Sequence, residues 1–258
     1  MNRIKARLAA QETQLGLWLA LSSPAVTEMA AAAGYDWLLI DGEHGPNLVP
    51  QMIEQLRIIE GSGTDALVRV PVNEEWVIKM ALDIGATTLM VPMIHTPEDA
   101  RRAVAAMKYP PEGIRGMGAS LARASGYGRN TDYVRTANAT TCLIAQIESR
   151  QALDNLEAIA TTPGVDAIFI GPADLSADMG YPGNPGADEV QTAIAEAYAT
   201  CKRLGVASGT VTFALDDVPG LSAMGASFIG VGGDTTLMQR AMQGHVAAAR
   251  EALAKGND

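Results

Sequence analysis

The stretch AAGYDWLLIDG (32–42) decides the fold, because its plan returns in DIGATTLMVPM (83–93), PGVDAIFIGPAD (163–174) and MGASFIGVGGD (224–234). In each copy a helix is predicted to end near a glycine, a short apolar strand follows, and a turn with glycine or proline comes next. Repeated β–α units produce internal echoes of this kind. The echoes therefore predict a chain in which strands alternate with helices.

The same alternation extends over the whole chain. Strands are predicted at 15–21, 36–40, 66–70, 87–91, 141–147, 166–170, 206–211 and 226–231. Helices are predicted between them, with starts at Ser23-Pro24, Asn73 and Thr96-Pro97, one helix over 149–160 and a last one over about 236–254. Eight such units in 258 residues predict an α/β fold, a single-domain (β/α)8 TIM barrel. The Pro- and Gly-rich segment 109–130 is predicted to be a long loop.

Composition excludes several classes of function. The formal net charge of −10 offers no basic stripe for nucleic acid. Cys142 and Cys201 form no CxxC pair, so we expect buried, reduced thiols. The N-terminus has no signal-peptide pattern, and no apolar run is long enough to cross a membrane. We therefore expect a cytoplasmic enzyme without a nucleic-acid or membrane partner.

Active-site residues of such barrels project from the carboxyl ends of the strands. Charged residues placed directly against apolar strands are costly unless they are paired or used. The candidates at these positions are Asp41, Glu43 and His44 after the second strand, Arg69 at the end of the third, Gln146 and Glu148 after the fifth, and Gly171, Pro172, Ala173 and Asp174 after the sixth.

Glu148 and Asp174 follow successive strands, so we expect them to face each other across one side of the barrel mouth. Two carboxylates without an intervening lysine repel each other, and a hard divalent cation such as Mg²⁺ or Mn²⁺ resolves that repulsion. The alternative is that each acid only caps a helix. The turn GPADLS (171–176) also has free backbone N–H groups that favour a carboxylate or phosphate.

Arg69 either faces an oxyanion that develops during a reaction or forms an ion pair with Asp41 or Glu43. His44 has a side chain suited to general acid–base work, or is an ordinary loop histidine. Asp83 can orient an imidazole, or is simply an acid at a helix end. All five lysines fall in predicted helices, at a loop entry or near a terminus, so an imine mechanism has no evident nucleophile.

Seven motifs together resemble one family over nearly the whole chain. They are LLIDGEH (38–44), VRVP (68–71), LMVPM (89–93), YPPEGIRGMG (109–118), QIES (146–149), FIGPADLSADMG (169–180) and GVGGDTTL (230–237). The chain is similar to the class II pyruvate-dependent aldolases of the 4-hydroxy-2-oxoheptane-1,7-dioate and 2-dehydro-3-deoxyglucarate type, relatives of the citrate lyase β subunit. The dicarboxylate-cleaving branch, which acts in aromatic compound catabolism, resembles it most.

The resemblance implies a role for each candidate. Glu148 and Asp174 would hold Mg²⁺, Mn²⁺ or Co²⁺, and Gln146 would contact that site or the substrate. Arg69 would stabilise a pyruvate enolate, and His44, oriented by Asp41 or Asp83, would serve as acid–base. The pyruvate carboxylate would lie on the backbone at Ala173 and Asp174, after Gly171 and Pro172. Trp18 would line the pocket, and Thr212 and Phe213 would influence the choice of aldehyde.

The resemblance also implies a hexamer in which the last helix is exchanged between subunits, so that Asp83 serves a neighbour's site. The expected reaction is reversible cleavage of 4-hydroxy-2-oxoacids to pyruvate and an aldehyde. One alternative is an acyl-CoA lyase acting on citramalyl- or malyl-CoA. Arg115, Arg123 and Arg129 would supply its basic rim, or would instead bind a distal carboxylate of the oxoacid. A second alternative is a barrel used only for binding or assembly.

Overall fold

A computed structural model describes residues 2–255 of the chain. Eight parallel strands close into a barrel in sequence order, which confirms the predicted TIM barrel. The strands are β1 (Gln14–Leu19), β2 (Trp37–Asp41), β3 (Asp65–Arg69), β4 (Thr88–Val91), β5 (Cys142–Ile147), β6 (Ala167–Ile170), β7 (Ala207–Val211) and β8 (Ala226–Gly233). Every predicted strand is therefore present, with ends that shift by a few residues.

Helices surround the barrel, and the first of them closes its lower end, where the strands begin. They are α1 (Arg3–Ala9), α2 (Pro24–Ala31), α3 (Val49–Glu60), α4 (Glu75–Asp83), α5 (Pro97–Met107), α6 (Tyr133–Thr140), α7 (Arg150–Asp154), α8 (Leu156–Ala160), α9 (Pro172–Asp178), α10 (Asp188–Leu204), α11 (Val218–Met224) and α12 (Asp234–Lys255). Helix α1 was not predicted from the sequence. Its buried residues Ile4 and Leu8 pack against the side chains inside the barrel, at the end where the strands begin.

Local capping explains where the helix predictions succeed and where they fail. Ser23 caps α2 ahead of Pro24, and Thr96 forms a capping box with Asp99 at the start of α5, as predicted. Asn73 is not a cap, because its side-chain amide donates instead to the backbone oxygen of Asp99. The predicted helix over 149–160 breaks at Asn155, whose side chain hydrogen-bonds to two backbone oxygens.

Four aromatic side chains fill the barrel interior. Trp37 stacks on Phe228 with ring centroids 4.1 Å apart, and Trp18 contacts both Trp37 and Phe169. Glycine is required at position 16, since a Cβ there would lie 2.0 Å from the indole of Trp37. The interior is therefore a packed core, and the chemistry is confined to the mouth at the carboxyl ends of the strands.

Helix α12 leaves the barrel instead of packing on it. The buried carboxylate of Asp234 accepts hydrogen bonds from the backbone N–H groups of Ala20 and Leu21, which fixes the helix start beside β1. From position 239 to 255 every residue is exposed, including Met242 and Val246. Among residues 2–255, no helix is both long and apolar enough to cross a membrane.

Candidate active site

Arg69 and Asp41 form a buried ion pair at the mouth. The two residues are register partners at the ends of β2 and β3. Nε of Arg69 lies 2.9 Å from Oδ1 of Asp41, and Nη2 lies 2.7 Å from Oδ2, so the pair is bidentate. This geometry fixes the guanidinium plane, because both groups have planar, matching forks. The ion-pair alternative for Arg69 is therefore realised, and its side chain is only 10% exposed.

Glu43 provides a second carboxylate to the same guanidinium. Its Oε2 lies 3.0 Å from Nη1 of Arg69, although the angle is not that of a hydrogen bond. Burial raises the pKa of Glu43 from 4.5 to about 7, an effect that Arg69 opposes and the nearby charge of Glu148 reinforces. Arg69 thus faces two acids at once, and burial makes one of them, Glu43, a weaker acid than an ordinary glutamate.

The imidazole of His44 lies at the open edge of this cluster. Its side chain is 64% exposed, and Nε2 lies 3.9 Å from Oε2 of Glu43. Asp41 does not orient the ring, because its carboxylate is taken by Arg69 and by the backbone N–H groups of Glu43 and His44. Within one chain, the acid next to the His44 ring is therefore Glu43.

Asp83 is remote from His44 in the same chain. It is the last residue of α4, which leads into the start of β4 at the end of the barrel opposite the mouth. Its Oδ1 accepts from Arg115, whose fully buried side chain also lies over the ring of Tyr109. Any contact between Asp83 and a His44 ring therefore needs a second copy of the chain.

Two of the three arginines suggested for an acyl-CoA rim, Arg115 and Arg123, do not lie at the mouth of their own chain. Arg115 is buried beside Asp83, and Arg123 binds Glu60 at the end of α3 and the backbone oxygen of Ile84. Arg129 donates to the backbone of its own loop, at Gly126. Within one chain, Arg115 and Arg123 therefore do not form the suggested rim, because the 109–130 loop folds toward the end of the barrel opposite the mouth.

Glu148 is buried just past β5 and is held from two sides. The backbone N–H of Met93 donates to Oε1 at 2.7 Å, and the side-chain amide of Gln146 makes a short contact with Oε2. The amide oxygen of Gln146 is buried and has no hydrogen-bond partner among residues 2–255. Asp174 lies on the neighbouring element, in the first turn of α9, and is exposed. The two acids therefore follow paired strands, β5 and β6.

The donors at this place fit a hard divalent cation. A Cβ at Gly171 would lie 3.1 Å from Oε2 of Glu148, so the glycine keeps space open beside that oxygen. Within the described part of the chain, no group of three or more His, Cys, Asp or Glu side chains is placed to hold a metal. Carboxylate oxygens completed by water are the ligands that Mg²⁺ and Mn²⁺ prefer, whereas a structural zinc site uses Cys and His.

The last three predicted site residues, Trp18, Thr212 and Phe213, lie on β1 and just after β7. Trp18 is buried near the carboxyl end of β1, where its indole contacts Phe169 inside the barrel. Phe213 is about half exposed beyond β7. The hydroxyl of Thr212 is engaged with Ala214 and Asp217 in the turn that follows β7. Thr212 therefore shapes this turn, and the exposed ring next to it is Phe213.

Two residues at the mouth, Glu43 and Met93, received no catalytic or binding role from the sequence. Glu43 was considered only as an ion-pair partner of Arg69, although the cost of a charge beside an apolar strand applies to it as much as to Asp41. Met93 acts through its backbone N–H, for which no side-chain signal exists.

Two surface cavities, of about 300 and 490 Å³, lie away from the mouth. One is lined by residues near the ends of α10 and α11, and the other lies between α8 and α10.

Comparison with known proteins places the chain in one family. The pattern of the HpcH/HpaI aldolase/citrate lyase family matches residues 14–241. The 4-hydroxy-2-oxo-heptane-1,7-dioate aldolase of Escherichia coli is 48% identical over 242 residues, 94% of this chain and 92% of that protein. The hydroxypyruvate/pyruvate aldolase of Agrobacterium fabrum is 47% identical over 235 residues, 91% of this chain and 88% of that protein. A crystal structure of a family protein from Burkholderia cenocepacia has a TM-score of 0.93 at 41% identity, covering 97% of this chain and all of that one.

Proposed function

Since the chain belongs to the HpcH/HpaI aldolase/citrate lyase family, we propose that its barrel mouth cleaves 4-hydroxy-2-oxoacids reversibly to pyruvate and an aldehyde. The observation that carries this proposal is a buried guanidinium, Arg69, at the same mouth as the buried carboxylate of Glu148. An enolate of pyruvate is an oxyanion that forms during the reaction. Fixed donors at its position lower the barrier to its formation.

Glu148 and Asp174 are the residues that would hold the divalent cation, which is Mg²⁺, Mn²⁺ or Co²⁺. When bound, the cation supplies Lewis-acid polarisation of the 2-oxo group and balances negative charge. Glu148 is oriented by Met93 and Gln146 before any ligand arrives. The unpartnered amide oxygen of Gln146 is free to accept a hydrogen bond from a water molecule or from the substrate.

Arg69 has the geometry of an oxyanion donor. Its Nε and Nη2 are committed to Asp41, so the guanidinium does not rotate, and Nη1 lies on the side of Glu43. In cleavage, the C4 hydroxyl loses its proton, the C3–C4 bond breaks, and its electron pair forms the enolate double bond. C3 then takes a proton to give pyruvate. Because the guanidinium cannot deprotonate, it stabilises the enolate by hydrogen bonding and charge.

His44 is the group proposed to accept and return the proton. Its ring is exposed at the mouth, where a substrate hydroxyl can reach it, and an imidazole can both accept and donate a proton. Glu43, 3.9 Å away, takes the place beside the ring that the sequence assigned to Asp41 or Asp83. We propose that Asp83 reaches His44 only in an oligomer, from a neighbouring subunit.

The exposed helix α12 supports an oligomer in which this helix packs on a second copy. A helix of 22 residues with exposed Leu237, Met242 and Val246 leaves apolar surface uncovered in one chain. We propose that α12 is exchanged between subunits. A chain ending after residue 233 is expected to form an assembly with fewer subunits than the full chain, as measured by size-exclusion chromatography with light scattering. Elution of both at the same oligomeric state contradicts the exchange.

All five lysines lie in helices or at a helix end, away from the carboxyl ends of the strands. The decisive experiment therefore separates a metal mechanism from an imine mechanism. A panel of 4-hydroxy-2-oxoacids is incubated with the enzyme, and pyruvate release is followed with and without a chelator. We expect the chelator to abolish release and Mn²⁺ or Co²⁺ to restore it.

Borohydride added together with pyruvate is the matching control. We expect full activity after its removal, since no lysine is positioned to form a reducible adduct. Permanent inactivation by borohydride, or pyruvate release that survives chelation, contradicts the proposed function. Cleavage of citramalyl- or malyl-CoA without cleavage of any free oxoacid would assign the chain to the acyl-CoA lyases instead.

A further inference from the structure

The β4–α5 loop (92–96) contains a strained residue at the barrel mouth. Met93 has φ +54°, a left-handed conformation that costs a non-glycine residue about 1–2 kcal/mol. The neighbours on both sides, Pro92 and Ile94, are buried, so the surrounding structure holds the strained backbone in place. Strain of this kind persists where something else over-determines the conformation, and it concentrates at functional sites.

The strained backbone aims one N–H group at Glu148. The backbone nitrogen of Met93 lies 2.7 Å from Oε1 of Glu148 and joins the loop after β4 to the residue that follows the neighbouring strand β5. The Met93 side chain itself is about half exposed and is not needed for this contact. The functional element at this position is thus the peptide group, and the left-handed turn is what directs it.

Two further contacts fasten the same loop to the segment that follows Glu148. Nδ1 of His95 lies 2.8 Å from the hydroxyl of Ser149, and the side-chain amide of Asn155 donates to the backbone oxygen of His95. Ser149 is in turn the N-cap of α7, where its hydroxyl accepts from the N–H of Ala152. The loop and the residues around Glu148 are therefore linked at three places.

From these contacts we propose that the β4–α5 loop is a positioning element for Glu148, with Met93 and His95 as positioning residues. The inference rests on the proposed function, since it assumes that Glu148 binds a divalent cation. A carboxylate has about four lone-pair sites, and Met93 and Gln146 occupy two of them. These two contacts fix the carboxylate plane, so a cation meets oxygens that have already lost their rotational freedom.

The test compares two substitutions of Met93 that affect the backbone in opposite ways. Met93→Val places a β-branched residue where φ is positive, which drives the loop out of the left-handed conformation. Met93→Gly removes the same side chain but adopts that conformation without strain. Met29→Val, at an exposed methionine in the regular helix α2, is the matched control. Circular dichroism verifies that each variant is folded.

The readout is the dissociation constant for Mn²⁺, measured by electron paramagnetic resonance with no substrate present. We expect Met93→Val to weaken Mn²⁺ binding about tenfold or more, as partners of metal ligands do when they are lost. Met93→Gly and the Met29→Val control should both stay within about threefold of wild type. Equal affinity for Met93→Val and wild type overturns the proposal, and so does an equally large loss for Met93→Gly.

His95 gives an independent arm of the same experiment. His95→Ala removes the link to Ser149 and should also weaken Mn²⁺ binding, whereas His95→Asn keeps a polar group near the Nδ1 position and should recover part of it. Failure of His95→Asn to exceed His95→Ala counts against a hydrogen-bonded link. Glu148→Gln separates the two claims. If Glu148→Gln still binds Mn²⁺ like wild type, the proposed metal site fails. If Glu148→Gln loses Mn²⁺ binding but the Met93 and His95 variants bind it like wild type, only the positioning role fails.

Discussion

Glu43→Gln tests the electrostatics of the mouth without any substrate. The pKa of Glu43 is raised from 4.5 to about 7, chiefly by burial. The folded protein therefore holds this proton more tightly than the unfolded chain does. As pH rises from 4.5, the unfolded chain loses the proton first, so stability falls across pH 4.5–7 and stays low above pH 7. A neutral glutamine lacks this contribution.

The size of the effect follows from the shift. A rise of that size corresponds to roughly 3 kcal/mol, and we take about 2 kcal/mol because the unfolded chain has already lost much of this proton at pH 5. Urea unfolding at pH 5 and pH 8, with a chelator present and protein concentration fixed, measures it. Relative to wild type, Glu43→Gln should gain about 2 kcal/mol between the two pH values. Glu54→Gln, exposed on α3, is the control. Parallel pH profiles for Glu43→Gln and wild type would refute the reasoning.

Three further variants address the chemistry. His44→Ala should lose about a hundredfold in kcat for cleavage while the midpoint of thermal unfolding stays unchanged, because its side chain is mostly exposed; a large drop in that midpoint would show a structural role. Arg69→Lys keeps the charge but not the bidentate contact with Asp41, so kcat/KM should fall about a hundredfold in steady-state assays. A wild-type rate would remove the donor role. Gly171→Ala places a Cβ 3.1 Å from a Glu148 oxygen and should weaken Mn²⁺ binding about tenfold in a titration; unchanged affinity would mean that the oxygen has room to move.

The sequence was sufficient to predict the barrel because its signal is repeated. Each β–α unit carries its own apolar run and turn, so an error at one boundary does not change the architecture. The same logic selected the candidate acids and Arg69, since strand ends face one mouth, and their catalytic roles stay predictions. The predicted helix caps at Ser23 and Thr96 are confirmed, because each capping side chain binds a backbone N–H only three residues further along the chain.

What the sequence could not supply was contact between distant segments. Asn73 has the side chain of a cap, yet its amide reaches across to α5. The N–H of Met93 reaches Glu148 across 55 positions, and no residue type predicts a backbone donor. Arg115 and Arg123 have the charge of a binding rim, but the fold of their loop takes them to the other end of the barrel. Which groups contact each other over such sequence distances depends on how the helices and strands pack, and the hydrophobic periodicity of the sequence does not encode that.

Exchange of the pyruvate methyl protons with deuterium oxide, followed by proton NMR, tests most directly whether the mouth stabilises an enolate. With Mg²⁺ present, the wild-type enzyme should catalyse the exchange without any aldehyde. The rate should fall to background after chelation and by about a hundredfold in Arg69→Lys. Exchange that continues at the wild-type rate in the chelated enzyme, or in Arg69→Lys, would contradict an enolate held beside Arg69 and Glu148.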